Sequence, residues 1–230
     1  MKNLLILTLI SVLTINISLS RDIRNKQFSL FNYNLEISDD FREEISNLTS
    51  FINNIKTYKN PDNDQLKAVL IYNIYYSIEE ALEEQLEIEI LPVNSFQNDV
   101  TYNDYDYPKT TIRKALRKGY SKYYFKVHVK IESLTDEKRK TNPELFENIN
   151  EPVIIPQITI DITVFNNEGI IPVDKWIGTA STETPLAIDK YLFAGFDNSD
   201  DTITNNKKEN LSSIRDKATN QLIQNFLNKK

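Results

Sequence analysis

The chain carries one histidine and no cysteine beside thirty-three aspartates and glutamates, so its means of chemistry are few. Without thiols it has no thiolate nucleophile, no disulfide and no thiolate metal site. Imidazole chemistry would rest on His128 alone, in the stretch "YYFKVHVK". Alternation places it between Lys126 and Lys130 on one side of a strand, and neither lysine can orient a ring nitrogen for catalysis. It reads as a solvated strand histidine.

Carboxylates are the remaining acid/base groups. If the turn "NNEG" closes with Phe165 facing Ile170, then Ile162 faces Val173 and Asp161 faces Asp174. Two like charges directly across a strand pair repel, and a carboxylate pair of this kind is the sort of site a hydrolase uses. Asp161 and Asp174 are therefore the candidate catalytic residues. The segment "DNSDD" at 197–201 alternates oxygen ligands as a calcium loop does, but Thr202 and Lys208 stand where that loop needs glycine and glutamate. No metal site is expected. Four glycines, at 119, 169, 178 and 195, exclude a glycine-rich phosphate loop, and no cofactor is expected.

Binding chemistry is better represented. Residues 78–89 contain six glutamates and no base, whereas residues 109–131 contain eight lysines or arginines and no acid. Arg113, Lys114, Arg117, Lys118, Lys122, Lys126 and Lys130 form a block that suits an anionic polymer or an acidic protein surface. The formal net charge of −6 argues against nucleic acid as the partner. Tyr102, Tyr105 and Tyr107 cluster before Pro108. Tyrosines in a loop offer amphipathic contact area with little rotamer entropy, so these are further binding candidates.

Positioning these groups falls to elements that the apolar spacing predicts. Residues 1–20 order a lysine, an apolar run and small polar residues as a secretory signal peptide does, which implies export to the periplasm or beyond and leaves 21–230 as one domain. No apolar run is long enough to span a bilayer. Ile37, Phe41, Ile45, Leu48, Ile52 and Ile55 predict a helix over 40–58 with Asp40 and Glu43 at its cap, and Leu66, Leu70, Ile74, Ile78, Leu82 and Leu86 predict a long one over 63–87 with Asp62 as cap. "EIEILPV" reads as a buried strand, 110–118 as a short helix ended by Gly119, and 123–131 as an alternating strand. Residues 135–152 read as a charged loop. "QITIDITVF" and "IIPVDKWIGTAS" form a hairpin, and Leu211, Ile214, Ala218, Leu222 and Phe226 mark a closing helix.

The expected fold is α+β, in two layers: a mixed or antiparallel sheet of about four strands, with a C-terminal hairpin, packed by amphipathic helices. The segments "YYFKVHVKIES", "ITIDITVFNNEGIIPVDKWIG" and "LSSIRDKATNQLIQNFL" resemble the small α/β domain of exported penicillin-binding-protein activator lipoproteins and of the curli-secretion lipoprotein. The lipid-anchoring cysteine of those families is absent here. Fold analogy alone does not transfer function; the leading expectation is a non-catalytic exported domain that binds another envelope protein or polymer through its loops and the basic block, and a hydrolase with paired carboxylates is the alternative.

Overall fold

A computed structural model describes residues 23–57, 64–196 and 209–229. The signal-like segment and the "DNSDD" segment lie outside them. In chain order the elements are β1 (Gln27–Ile37), α1 (Asp39–Glu44), a 3₁₀ turn (Ser46–Leu48), α2 (Thr49–Ile52), α3 (Gln65–Leu86), β2 (Glu89–Ile90), α4 (Ile112–Lys118) and β3 (Tyr123–Ser133). There follow α5 (Thr135–Thr141), β4 (Val153–Ile154), β5 (Pro156–Asn166), β6 (Asp174–Ser181), β7 (Leu186–Ala187) and α6 (Leu211–Leu227).

The main sheet is five-stranded, in the order β2-β1-β3-β5-β6. It is mixed: β1 runs parallel to β2 and β3, whereas β3–β5 and β5–β6 are antiparallel. β4 and β7 make a separate two-stranded sheet. The α+β architecture with a closing helix is as the spacing predicts. β1 escapes an alternation reading because the register slips between Leu30 and Asn32, a bulge that moves the inward set from Phe28 and Leu30 to Tyr33 and Leu35.

One sheet face carries Leu35, Val127, Val129, Ile160, Ile162 and Trp176, all buried beneath α3 and α6. Helix α3 starts where Asp64, not Asp62, accepts a hydrogen bond from the Lys67 amide at 3.0 Å. It ends at Glu87, whose φ of 55° breaks the helix. The stripe predicted as one helix over 40–58 is buried as expected at Phe41, Ile45, Leu48, Ile52 and Ile55. Yet the backbone leaves the α-helix at Ile45, where Ser46, Asn47 and Thr49 offer polar side chains that compete with helical bonds; the Thr49 hydroxyl donates to the Ser46 carbonyl at 2.7 Å. Its cap is Ser38, not the Asp40/Glu43 pair.

Two further expectations are corrected. The charged stretch after β3 is not a loop throughout: α5 forms with Asp136 and Glu137 in its first turn and Lys138, Arg139 and Lys140 in its last, which complements the helix dipole without an apolar stripe. "EIEILPV" contributes only the two-residue edge strand β2.

The β5–β6 hairpin differs in register by three positions from the one expected. Ile162 pairs with Trp176, Asp161 with Ile177 and Val164 with Asp174. Pro172 has no N–H for the ladder, and the Asn166 side chain turns the chain by accepting from the Glu168 amide at 3.2 Å, so 167–173 form a wide loop. The result buries Trp176 to 1% exposure and leaves Ile171 78% exposed. An odd slip exchanges faces.

On β6 the inward position after Trp176 is Gly178, where a Cβ would lie 2.0 Å from the Ala218 carbonyl oxygen. Helix α6 thus rests directly on the strand. From there Gln221, Asn225 and Lys229 reach the outer edge of β6: Gln221 accepts from the Thr179 amide at 2.6 Å, and Asn225 and Lys229 donate to the carbonyls of Ile177 and Lys175 at 3.0 and 2.5 Å.

Candidate functional site

The second face of the sheet is polar. Cross-strand pairing aligns Asn34, His128, Asp161 and Ile177 in one row, Glu36, Lys130, Thr159 and Thr179 in the next, and Asn32, Lys126, Thr163 and Lys175 on the other side. Only one end is covered. There α4 lies over β3, and Ala115 packs with Phe31, Phe96, Val100, Tyr124 and Phe165 as a small separate core. This is why Tyr124 is buried although it falls on the side of Lys126 and His128. Gly119 lets the end of α4 approach the sheet, since a Cβ there would stand 2.7 Å from the Tyr124 ring and 2.8 Å from Phe96.

The basic block is therefore gathered on one side of the molecule. Arg113, Lys114, Arg117 and Lys118 stand on α4, capped at Thr111, while Lys122 precedes β3 and Lys126 and Lys130 lie on its polar face. Lys118 pairs with Asp99 at 2.8 Å, Lys122 with Glu168 at 4.0 Å and Lys130 with Glu132 at 2.5 Å. Among the described residues no carboxylate ion-pairs with Arg113, Lys114, Arg117 or Lys126. The six glutamates of 79–89 lie on and after α3, behind the opposite sheet face, and none of them neutralises the block.

His128 is oriented, but not toward a nucleophile. Asn34 Nδ2 donates to its Nδ1 at 3.1 Å, which leaves Nε2 facing Glu36 at 3.8 Å. Asp161 is its cross-strand neighbour. One Asp161 oxygen ion-pairs with Lys175 Nζ at 2.8 Å and the other, buried, has no hydrogen-bond partner. No group of three metal-ligating side chains converges among the described residues.

Asp161 and Asp174 do not form a pair. The three-position slip puts Asp161 on the polar face and Asp174 on the face of Trp176. Asp174 accepts from Trp176 Nε1 at 2.8 Å and from Lys229 Nζ at 2.7 Å, so it ties β6 to the end of α6. No shared proton site exists between the two.

Of the tyrosine candidates, Tyr105 and Tyr107 face the α3 side, whereas Tyr102 packs against the small core under α4. Asn103 Oδ1 accepts from the amides of Tyr105 and Tyr107 at 3.0 and 3.1 Å, and this turn folds both rings inward. Tyr107 meets Tyr33 edge-to-face at 4.7 Å and Tyr75 tilted at 5.0 Å, and Tyr105 meets Tyr72 at 6.3 Å. Tyr105 and Tyr107 are buried and Tyr102 is half-buried, whereas Tyr76 on α3 is 65% exposed. Burial, with Asp64 and Asp104 adding, pushes the Tyr105 hydroxyl up to about 12; burial likewise raises Tyr107, Tyr75 and Tyr102, so these phenols stay neutral. A hollow of about 290 Å³ remains between them and α3. Sequence spacing alone could not join residues 72–79 to 105–107. A larger groove of about 480 Å³ between α3 and α6 is polar and bridged by the protein's own bonds, Ser77 to Asp216 and Gln85 to Asn220, both at 3.1 Å.

No protein-family model matches the chain, and no curated protein does. Among solved structures it is similar to a hypothetical protein from Chlamydia trachomatis, with 9% identity over 68% of this chain and 72% of that one and a TM-score of 0.32. That is a distant, fold-level likeness and carries no argument about function.

Proposed function

We propose that the chain is an exported, non-catalytic α+β domain that binds an anionic component of the cell envelope, an acidic protein surface or a polymer, through α4 and the polar face of β3. The observation that carries this is the convergence of the basic block on one side, with Arg113, Lys114, Arg117 and Lys126 lacking carboxylate partners among the described residues. An open polar sheet face flanked by a basic helix offers both a charged seat and hydrogen-bonding side chains, Asn34, Thr159 and Thr179 among them. The resemblance to envelope activator domains agrees with this reading at the level of fold alone. The hydrolase alternative has lost the carboxylate pair on which it rested.

The test is a titration of the full chain against polyphosphate and heparin as model polyanions over a range of salt. Binding should weaken steeply with salt, and replacing Arg113, Arg117 and Lys126 with serine should lower affinity at least about tenfold at low ionic strength. Salt-independent binding, or binding untouched by the triple replacement, would show the block to be a solvated surface.

A further inference from the structure

We propose that the hollow between α3 and residues 105–107 is a binding site for an organic cation, an alkylated ammonium group held against tyrosine rings and a glutamate. Its walls are Tyr72, Tyr76, Tyr105 and Tyr107, its charged members are Glu79 and Asp106, and its lining contains no lysine or arginine. Ring faces carry negative electrostatic potential, so a cavity of phenols beside carboxylates attracts positive charge from two sources at once. Tyr105 already shows the preference: Lys67 Nζ stands over its ring at 5.9 Å, from the adjoining hollow.

The apolar walls select the kind of cation. A metal ion requires several converging oxygens, which the described residues do not assemble. A primary ammonium holds its water tightly and would give it up for ring faces at a cost, whereas alkyl groups make the charge diffuse and reward contact with rings. Glu79 suits such a guest, because burial and the neighbouring Glu83 raise its carboxyl above the ordinary range and a cation would relieve that. The Tyr75 hydroxyl reaches Glu79 only at 3.5 Å, so the carboxylate is not saturated from within. A volume of about 290 Å³ takes a small ligand or a single headgroup rather than a peptide. Tyr76 is exposed and stands at the mouth, where its ring can close on the guest.

Calorimetric titration of the full chain with tetramethylammonium and with choline should show saturable binding with a Kd in roughly the millimolar range, and the uncharged isostere 3,3-dimethylbutanol should bind at least about fivefold more weakly. Glu79→Gln and Tyr76→Ala should each weaken choline binding by about fivefold. Both positions lie outside the fully buried core, and an unchanged thermal midpoint would confirm that the variants fold. A Lys140→Ser variant, altered on α5 and outside the lining of the hollow, should bind choline as the parent does. Sedimentation with phosphatidylcholine vesicles against phosphatidylglycerol vesicles separates a lipid headgroup from a free molecule: retention by the former alone assigns the headgroup, and retention by neither with choline still bound assigns the free cation. Equal binding of the neutral isostere, indifference to both variants, or no saturation by about 50 mM choline would overturn the proposal.

Discussion

Gly178 has room for a hydrogen and nothing larger, because the backbone of α6 crosses it with Ala218 and Leu222 as the contacts. Gly178→Ala must push the helix off β6, where Trp176 and Phe226 stack at 4.8 Å, and should cost about 3 kcal/mol or more. Gly169→Ala, in a loop with nothing near the added carbon, should change stability by less than about 0.5 kcal/mol. Chemical denaturation of the two variants gives the comparison directly, and equal midpoints would contradict the close approach. Glu44 presents a second case. It accepts hydrogen bonds from the hydroxyls of Ser133 and Thr135 at 2.8 and 3.0 Å, yet burial outweighs them and raises its carboxyl. A carboxyl raised on folding binds its proton more tightly in the native state, so its contribution is present at acid pH and is lost as pH rises through the folded value. Relative to the parent, Glu44→Gln should therefore gain stability as pH rises from the unfolded carboxyl value through the raised folded one, and hold that gain above it. A difference that is flat or falls with pH in paired thermal melts would reverse the assignment.

At the scale of elements, β6 is an edge strand with an apolar residue, Ile177, facing solvent, and such edges invite pairing with a second chain. The side chains of Gln221 and Asn225 on α6 and of Lys229 just past its end, four residues apart, occupy backbone groups along that edge. Replacing all three with alanine should leave far-UV circular dichroism unchanged but produce concentration-dependent association in light scattering. A strictly monomeric triple variant would assign edge protection elsewhere. The elements also show where reading residues succeeds. β3, α3 and α6 were legible because each is covered on one side, so burial imprints a period of two or near four. β1 was hidden by its bulge, α5 by having no apolar stripe, and the β5–β6 register by a loop whose length is set by Pro172 and Asn166. The binding block could be named residue by residue; that it shares a face with the open sheet, and that Tyr105 and Tyr107 turn inward toward α3, depend on contacts between distant segments.

For the whole molecule, the sheet separates two cores of unequal size. The larger joins α3, α6 and all five strands of the main sheet through some of the bulkiest side chains in the chain, Trp176, Phe28 and Phe193 among them. The smaller has six buried members and fastens α4, a seven-residue helix that would not persist alone. Local stability follows buried contact, so α4 should open without global unfolding. Native-state hydrogen exchange should find its amides less protected than those of β3 and β5 by about 2 kcal/mol or more. Phe96→Ala, which removes one of the six, should widen that gap while leaving β5 nearly unchanged. Because α4 carries four of the basic residues, a polyanion that engages the block must also hold the helix down, and saturating polyphosphate should raise α4 protection selectively. Exchange of α4 only through global unfolding would make it a rigid platform. Protection unchanged by a bound polyanion would place the binding surface on another part of the molecule.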